Sequence, residues 1–430
     1  MKTFSQAILT TLALILGSTD SNADWLRLLG PNGTGTAPEG SKPPLKWSNS
    51  ENLAWKTDLP GAGASSPIIV GSKVFVTCYS GVDAGIEKLK RHLVCIEKAS
   101  GKIMWDKSVP AVMPEDEFSG FLATEHGYAS NTPASDGERI YVFFGKTGAL
   151  AFDLDGNQLW QTGLGTRSNS RRWGSAASVM LTKDHVVVNA LDEGSAVFGL
   201  EKATGKIAWK APAEGLELAY STPVLVKNGA EEDLVLAVPQ EIWGMNPTNG
   251  KLRWYATHEL PGNVSPGVVI GDASDIFVFG GYPRTGSAAI KLGGRNDITS
   301  SIRWTSNNSS YVPTPVFHQG HLYVINDKGM ALCMEAATGK VVFEERVMES
   351  AGGGRRGGGK PFYASPVLAD GKLYCVSRTN GTFVMAAAPK YEILARNVID
   401  LDDSQFNASP AVDGNQLFIR SNKALYCIGQ

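Results

Sequence analysis

The chain has 430 residues, 43% of them hydrophobic and 19% charged, and its 40 basic and 42 acidic residues leave a formal net charge of −2. These values are typical of a globular protein. The balanced charge, without a long block of one sign, gives no reason to expect binding to nucleic acid. The 48 Gly and 22 Pro residues favour many short strands joined by tight turns.

Residues 1–23 have the features of an export signal. Lys2 supplies a positive start, and residues 7–17 form an apolar run too short to span a bilayer easily. Small residues at 21–23 suit a signal peptidase, so we expect cleavage after Ala23 and a periplasmic or secreted mature chain. A retained membrane anchor is the alternative. No Cys lies near this point, which argues against a lipid anchor, and no later stretch has the length and apolarity of a membrane span.

A short sequence motif recurs along the chain: residues 97–106 read EKASGKIMWD, residues 201–210 read EKATGKIAWK and residues 246–255 read NPTNGKLRWY. Each copy has a Gly four residues before a large aromatic residue, and a recurring motif indicates a repeat architecture. The Gly allows the positive φ of a tight turn between two strands. The pairs are Gly101 with Trp105, Gly156 with Trp160, Gly205 with Trp209, Gly250 with Trp254 and Gly339 with Phe343.

A second signature, a small residue followed by Pro, opens a short apolar run in seven places, and residues 174–181 fill the same slot without the Pro. Each opening leads to an alternating strand such as KVFVTC at 73–78, a third strand such as ALAFDL at 149–154, and the Gly turn before the aromatic strand. Four short strands per unit indicate an all-β array. The openings lie at 65–70, 131–135, 174–181, 221–226, 264–270, 313–317, 364–368 and 408–412.

Eight four-stranded units predict an eight-bladed β-propeller, a fold that leaves few exposed sheet edges. The last repeat, 408–429, stops after its third strand, and the missing strand is present as NLAWKTDLP at 52–60. We therefore predict that an N-terminal strand completes the last antiparallel blade and closes the ring. The expected divisions are a signal peptide at 1–23, an N-terminal extension at 24–50 and the propeller at 51–430.

The aromatic residues of the fourth strands are predicted to dock each blade against its neighbour. Each large ring can bury well over about 100 Å² in such an interface. One ring per interface would set the blade spacing, so the role expected of these residues is structural. They are Trp55, Trp105, Trp160, Trp209, Trp254, Trp304 and Phe343.

Three of the five cysteines, Cys95, Cys333 and Cys427, occupy the same place in different repeats. Equivalent places in separate repeats lie far apart, so these residues are expected to be buried and unpaired with one another. Cys78 and Cys95 could face each other within one repeat, which leaves their disulfide state open. Without a CxxC or a closely spaced Cys/His pair, no metal site is expected.

In idealised form the repeat reads A-x-D-x-x-x-G-x-x-x-W. It resembles the PQQ-like β-propeller repeat of the quinoprotein superfamily, which includes quinone-dependent alcohol dehydrogenases and the BamB-like proteins. The resemblance covers nearly all of residues 50–430. Residues 24–40, DWLRLLGPNGTGTAPEG, look like the W-x-x-x-R-G-P-x-G-x-G opening of exported propeller proteins of planctomycete-type bacteria, with Leu29 where the Arg usually stands.

The resemblance to the dehydrogenases implies a quinone and Ca²⁺ in the axial funnel, but a shared fold does not carry the chemistry with it. Those enzymes sandwich the quinone between a Trp and an adjacent Cys pair, and they hold Ca²⁺ with Glu and Asn. This chain has no adjacent Cys pair and no CxxCH haem site, and Glu241 and Asn407 are only candidate ligands. No cofactor is therefore expected, and PQQ with Ca²⁺ is the alternative.

A ligand site is expected on the face where the loops into the first strands meet the loops between the second and third strands. These loops carry aromatic, cationic and carboxylate residues, a mixture that suits a polar ligand or a peptide segment. The Gly-rich stretch 351–360 is expected on the same face, at the mouth of the axial channel. It leads into Pro361 and a strand, so we interpret it as a flexible lid or disordered loop and not as a phosphate loop. The residues favoured for binding are Arg172, Trp173, Tyr220, Glu241, Arg284, Tyr363, Arg378 and Asn407.

Three functions are compatible with the sequence. The favoured one is a monomeric, non-catalytic binding or scaffolding module that engages a protein or another cell-envelope partner. The second is a PQQ- and Ca²⁺-dependent periplasmic alcohol or sugar dehydrogenase. The third is a polysaccharide-binding module, which draws on the aromatic residues around the mouth. A deep pocket with converging carboxylates would favour the enzyme, and an open, flat rim would favour partner binding.

Overall fold

The computed structural model describes residues 24–118, 126–260, 262–272, 274–282, 284–348 and 360–429. These residues form eight antiparallel sheets of four strands, one of which carries a fifth strand in parallel. The sheets follow one another along the chain as the blades of a ring, which confirms the predicted eight-bladed β-propeller. The export signal and all of the Gly-rich stretch except Lys360 lie outside the described residues.

The strands run in chain order from β1 (Leu53–Asp58), which belongs to blade 8. Blade 1 contains β2 (Ile68–Val70), β3 (Lys73–Ser80), β4 (Lys90–Glu97) and β5 (Ile103–Pro110). Blade 2 contains β6 (Ala134–Ser135), β7 (Arg139–Phe143), β8 (Ala149–Asp153) and β9 (Gln158–Thr162). Blade 3 contains β10 (Met180–Leu181), β11 (His185–Ala190), β12 (Ala196–Glu201) and β13 (Ile207–Pro212). Blade 4 contains β14 (Val224–Asn228), β15 (Glu231–Val238), β16 (Glu241–Met245) and β17 (Leu252–Thr257).

Blade 5 contains β18 (Val269–Ile270), β19 (Asp275–Gly280), β20 (Gly286–Lys291) and, after the short β21 (Asn296–Asp297), β22 (Ile302–Ser306). Blade 6 contains β23 (Val316–His318), β24 (His321–Ile325), β25 (Met330–Glu335) and β26 (Val341–Arg346). Blade 7 contains β27 (Val367–Ala369), β28 (Lys372–Val376), β29 (Thr382–Ala386) and β30 (Ile393–Asn397). Blade 8 contains β31 (Ala411–Asp413), β32 (Gln416–Arg420), β33 (Ala424–Ile428) and β1. The described helical segments are α1 (Leu191–Gly194) and 3₁₀ turns at Val82–Ala84, Ile86–Lys88, Gly145–Thr147 and Thr299–Ser301.

The ring closes through β1, as predicted. This strand pairs antiparallel with β33, with Trp55 opposite Cys427 and Asp58 opposite Ala424. Strand β33 in turn pairs with β32, so blade 8 is built from both ends of the propeller sequence. Separating the ring at this blade would therefore require breaking a complete strand ladder, which is how a closed propeller avoids a free edge.

Burial explains the pattern of hydrophobicity within a blade. The second strand β3 is buried along most of its length because neighbouring blades cover both of its faces. The fourth strand β5 alternates between half-buried and exposed residues because it lies at the outer rim of the ring. Cys78 packs towards blade 8 and Cys95 towards blade 2, on opposite faces of blade 1, and all five cysteines are free and buried.

The Gly and Trp residues of the repeated motif contact each other across consecutive blades. The Trp160 ring of blade 2 lies over Gly205 of blade 3, and its indole N–H donates to the Lys202 carbonyl at 2.9 Å. A Cβ on Gly205 would stand 2.5 Å from this ring, so the position needs Gly for its space as well as for its φ of +70°. The same Trp-over-Gly arrangement joins Trp55 to Gly101, Trp105 to Gly156, Trp209 to Gly250 and Trp304 to Gly339.

Two of the aromatic positions have different surroundings. The indole N–H of Trp254 donates to Asp233 of its own blade at 2.7 Å, and its ring is fully buried. The reason is the long connection before β22, whose strand β21 adds to the edge of blade 4 beside Trp254. Phe343 instead packs against Tyr391 of blade 7, with ring centroids 5.7 Å apart.

The small residues before each Pro tie the inner strands together around the axis. The Ser66 amide donates to the Thr132 hydroxyl at 2.9 Å, and the Thr132 amide donates to Ser178 at 2.9 Å. The Ser178 amide continues the series to Thr222 at 3.0 Å. Because these hydroxyls satisfy amides that no strand ladder reaches, the Ser/Thr signature stabilises the inner wall of the propeller.

Candidate functional site

The N-terminal extension crosses the propeller on the side of the turns between first and second strands. Near its start Trp25 forms a bridge with Ile69 of blade 1, and further along the Gly35 carbonyl accepts a hydrogen bond from the Leu368 amide of blade 7 at 2.7 Å. The segment between these anchors passes under the axis and forms the floor of the central channel. The opposite end of the channel, where the loops lead into the first strands, is its mouth.

Packing around Trp25 holds this crossing in place. The Trp25 side chain is fully buried, and a Cβ on Gly30 would stand 2.9 Å from its ring. Gly30 has a φ of +84°, a conformation that other residues adopt only at a cost. The spaced Trp and Gly of the opening motif are therefore explained by one tight turn that places residues 27–29 under the channel.

The floored channel encloses a cavity of about 730 Å³. Arg27, Leu28 and Leu29 lie at its floor, and Ser and Thr residues of the first strands surround its middle. Among the described residues that line it there is no Asp or Glu. Its volume falls within the range of about 300–1,000 Å³ that is usual for small-molecule sites. The aromatic residues of the lining are Trp173, Tyr220, Tyr282, Tyr311 and Tyr363.

Half of the residues that the sequence favoured for binding line this cavity. The Tyr220 hydroxyl accepts a hydrogen bond from the Asn169 side chain at 3.2 Å, and burial raises the pKa of Tyr220 above its usual range. Trp173 is half-buried and lies under the Arg171 guanidinium, 5.1 Å from its ring centroid. The four residues in the lining are Trp173, Tyr220, Tyr363 and Asn407.

The other four favoured residues lie outside the cavity lining. Arg172 and Arg284 are exposed. The Glu241 carboxylate accepts a hydrogen bond from the Trp243 indole at 2.7 Å. Arg378 is buried behind the wall, and so the structure does not bring these four side chains together.

Two cations brace the aromatic wall near the mouth. The Arg378 guanidinium lies 4.8 Å over the Tyr363 ring and donates to Asn407 at 2.9 Å. The Lys360 ammonium lies 3.7 Å from the centroid of the Tyr311 ring and 3.8 Å from the Asp327 carboxylate. Such cation–π contacts hold the tyrosines in defined positions.

A second group of charged residues lies beside the cavity, between blades 1, 2 and 3. Arg91 pairs with Glu115 at 2.6 Å, and Lys146 pairs with Asp116 at 3.0 Å. The Ser168 hydroxyl donates to Asp116 at 2.7 Å. All of these charged side chains are buried, and the space between them is about 20 Å³, room for roughly one water molecule. The cluster therefore has the character of a structural network.

An acidic pair on α1 belongs to the same cluster. Burial, together with the charge of Asp192, raises the pKa of Glu193 to about 8. Burial also raises the pKa of Asp192 to about 6, although the Asn169 side chain and the Leu218 amide both donate to it. His126 borders both the cluster and the cavity, and burial lowers its pKa to about 4, so it is neutral at pH 7.

Sequence reasoning missed several residues of the site. Arg27 at the floor lies in the opening motif, but nothing in the repeat pattern places that motif under the axis. Glu115 and Asp116 follow the last strand of blade 1 and carry no recurring signature. Only the loop position of Lys146 and of α1 could have indicated the charged cluster.

The fold and its floored axial cavity define a PQQ-like eight-bladed propeller. The chain belongs to the family described as outer membrane protein assembly factor BamB, which matches residues 48–190 and 156–387. A Yersinia pestis protein of that name is 24% identical over 237 residues, which cover 51% of this chain and 57% of the relative. Thus the match spans little more than half the length of that relative.

Solved structures show the same fold at low identity. BamB from Moraxella catarrhalis aligns with a TM-score of 0.60 at 12% identity, over 87% of this chain and 99% of that one. A europium-containing methanol dehydrogenase also aligns with a TM-score of 0.60 at 12% identity, over 92% of this chain and 89% of that one. The same fold therefore occurs in an assembly factor and in an enzyme. The two functions must be distinguished by the chemistry of the site and not by the fold.

Proposed function

We propose that this chain is a non-catalytic binding module of the cell envelope, which receives its partner on the mouth side of the propeller. The observation that carries the proposal is the axial cavity, which is deep and aromatic but has no carboxylate among its described lining residues. Aromatic and cationic side chains provide binding area and hydrogen bonds. Without a carboxylate among these described residues, the cavity offers little for the proton transfers of a dehydrogenase.

The family supports a location in the envelope. The description of the family and of the Yersinia pestis relative names outer membrane protein assembly. The export signal expected at residues 1–23 agrees with this location, although it lies outside the described residues. No helix in the described part of the chain combines the length and apolarity needed to cross a membrane.

The dehydrogenase alternative depends on whether the cavity could hold PQQ and Ca²⁺. Calcium in proteins takes six to eight oxygen ligands, and carboxylates are the usual ones. Glu241, the acidic candidate, is bonded to Trp243 outside the cavity, and the Asn407 oxygen accepts from Arg378. Because the described donor set does not suit the ion, no quinone chemistry is proposed here.

A titration with PQQ and Ca²⁺ tests this choice directly. We expect no saturable change in Trp fluorescence that depends on Ca²⁺ up to about 100 μM PQQ, well above the micromolar Kd of a functional site. We also expect no dye-linked oxidation of alcohols or sugars. Saturable micromolar binding with turnover would replace the binding module with a compact quinoprotein enzyme.

Site-specific photo-crosslinking in intact cells tests the partner-binding role. A photoreactive residue at Tyr282 or Arg284, both exposed near the mouth, is expected to yield a crosslink to the same identified envelope protein. The matched control is Lys340, an exposed residue in a turn on the floor side, where no such adduct is expected. Adducts that form equally from both sides, or from neither, would contradict the proposal.

A polysaccharide ligand is less compatible with the geometry. A polymer chain needs a groove through which it can continue in both directions, whereas the N-terminal extension floors this cavity. Only a chain end could enter it. Recovery of a glycan in place of a protein from the crosslinked material would reverse the order of these two hypotheses.

A further inference from the structure

We propose that the axial cavity binds a small carboxylate-bearing molecule with an apolar or aromatic body, and that Arg27 at the floor holds the carboxylate. This inference deepens the proposed binding function by naming the ligand chemistry of the cavity. It depends on that function only in treating the cavity as a binding site, and it does not require a protein partner at the mouth.

Arg27 is the first observation. Its side chain enters the floor of the cavity, its Nη1 contacts the Met180 sulfur, and its Nε is buried without a hydrogen-bond partner. No carboxylate among the described residues lies within ion-pair distance of it. Burial lowers the pKa of Arg27 below its usual range, which agrees with an uncompensated charge. Arg27 as a whole is half-buried, but withdrawing part of a guanidinium from water without an anion is costly, and an incoming carboxylate would remove that cost.

Two fully buried arginines have oxygen acceptors for their guanidinium groups. Arg91 pairs with Glu115. Arg420 lies outside the cavity lining; its Nε, like that of Arg27, has no partner among the described residues, but its Nη1 donates to the Ser65 carbonyl at 2.9 Å. Arg27 differs because its Nη1 contacts a sulfur, which is a weak acceptor. The guanidinium fork matches a carboxylate with two parallel hydrogen bonds, so the missing partner has a defined shape.

The charge of the cavity points the same way. The described lining contains two cations, Arg27 and Lys360, and no anion. His126 adds no positive charge at pH 7 because its pKa is lowered to about 4. Lys360 forms an ion pair with Asp327 near the mouth, so the positive charge without an ion-pair partner in the described part of the chain lies at the floor, on Arg27. A low-dielectric pocket of one sign attracts ligands of the opposite sign.

The side chains of the cavity walls indicate the chemical character of the rest of the ligand. Just above Arg27 the walls include the apolar side chains of Val179, Met180 and Val224, the Ser and Thr residues of the first strands surround the middle, and five aromatic rings lie nearer the mouth. Flat rings and branched aliphatic chains favour an aromatic or apolar body over a strongly hydrated one. A ligand that enters with its carboxylate leading would place that group on Arg27 and leave its body between these walls.

The test uses 2-naphthoate as probe and 2-naphthamide as its neutral match, titrated into the purified chain by calorimetry. We expect saturable binding of naphthoate, roughly 10- to 100-fold tighter than the amide, as a charge-assisted hydrogen-bonded pair gives. Acetate, which has the charge without the body, is expected to bind at least tenfold more weakly than naphthoate because it leaves the walls uncovered.

Variants assign the effect to Arg27. Arg27→Gln is expected to weaken naphthoate roughly 10- to 100-fold and to leave the amide within about twofold. Arg303→Gln, which removes an exposed arginine of the outer strand β22, is the matched control and should leave both affinities unchanged. Thermal melting checks that each variant folds. If Arg27→Gln does not fold, Arg27→Lys keeps the charge without the fork and should still lower the preference for the acid.

Three results would overturn the inference: no binding of either naphthalene probe, equal binding of acid and amide by the unaltered chain, or an unchanged preference in Arg27→Gln. These results are separate from a failure of the proposed function. Crosslinks from the mouth without carboxylate binding would remove this inference alone. Carboxylate binding without crosslinks would leave it standing and remove the protein partner.

Discussion

Gly205→Ala is expected to destabilise the propeller by about 2–5 kcal/mol, measured by urea denaturation. Two effects contribute. An alanine at a φ of +70° costs about 1–2 kcal/mol because its Cβ meets the following carbonyl. The new Cβ would also stand 2.5 Å from the Trp160 ring, and relieving such a contact in a packed interface costs about 1–3 kcal/mol.

Gly229→Ala separates these two effects. Gly229 has a φ of +68°, but no atom lies within 4 Å of the place that a Cβ would take, so only the backbone cost applies. We expect it to lose about 1–2 kcal/mol. In a Trp160→Leu background the penalty of Gly205→Ala should fall towards this smaller value. If Gly205→Ala and Gly229→Ala are equally destabilised, the ring contact contributes nothing and the Gly of the repeat is needed only for its turn.

The protein is expected to lose stability between pH 5 and pH 8, and Glu193→Gln is expected to remove much of that loss. The pKa of Glu193 is raised from an ordinary value of 4.5 to about 8, chiefly by burial. Between these values the folded chain keeps a proton that the unfolded chain releases. The free energy of unfolding therefore falls as pH rises, by up to about 1.4 kcal/mol per pH unit. Asp192, with its pKa raised to about 6, acts in the same direction over a narrower interval.

The measurement compares urea denaturation at pH 5 and pH 8. Because Gln cannot ionise, the variant should lose less stability over this interval and should be the more stable protein at pH 8. Glu214→Gln is the matched control, since Glu214 is exposed, and it should follow the unaltered chain. An identical decline in Glu193→Gln would mean that the Glu193 carboxyl is not kept neutral by its surroundings.

The fold could be predicted because its signals are local and repeated. The turn Gly and the following aromatic residue lie four positions apart, and the Ser/Thr before Pro marks each inner strand. Each signal has an exception. Residues 174–181 lack the Pro but still lead to β10, and Trp254 turns to Asp233 because β21 covers its edge of blade 4. The likeness of residues 24–40 to exported proteins of planctomycete-type bacteria stays a prediction.

The site could be predicted only in part. Trp173, Tyr220, Tyr363 and Asn407 line the cavity, because the propeller geometry sends their loops to one end of the axis, and their role in binding stays a prediction. The direction of a side chain within its loop has no such signature. Arg284 points into solvent, and Glu241 bonds with Trp243 outside the cavity. The disulfide question likewise needed the structure, since Cys78 and Cys95 lie on opposite faces of blade 1.

The sequence by itself determined the number of blades, their strand order and the closure of the ring by residues 52–60. Those features follow from hydrophobic alternation and turn chemistry within some 50 residues, so short-range physics is sufficient. Only the tertiary structure decided that the channel is floored and that Arg27 lies within it. That arrangement depends on contacts such as the one between Arg27 and Met180, which are 153 residues apart, and no local pattern encodes a contact at that distance.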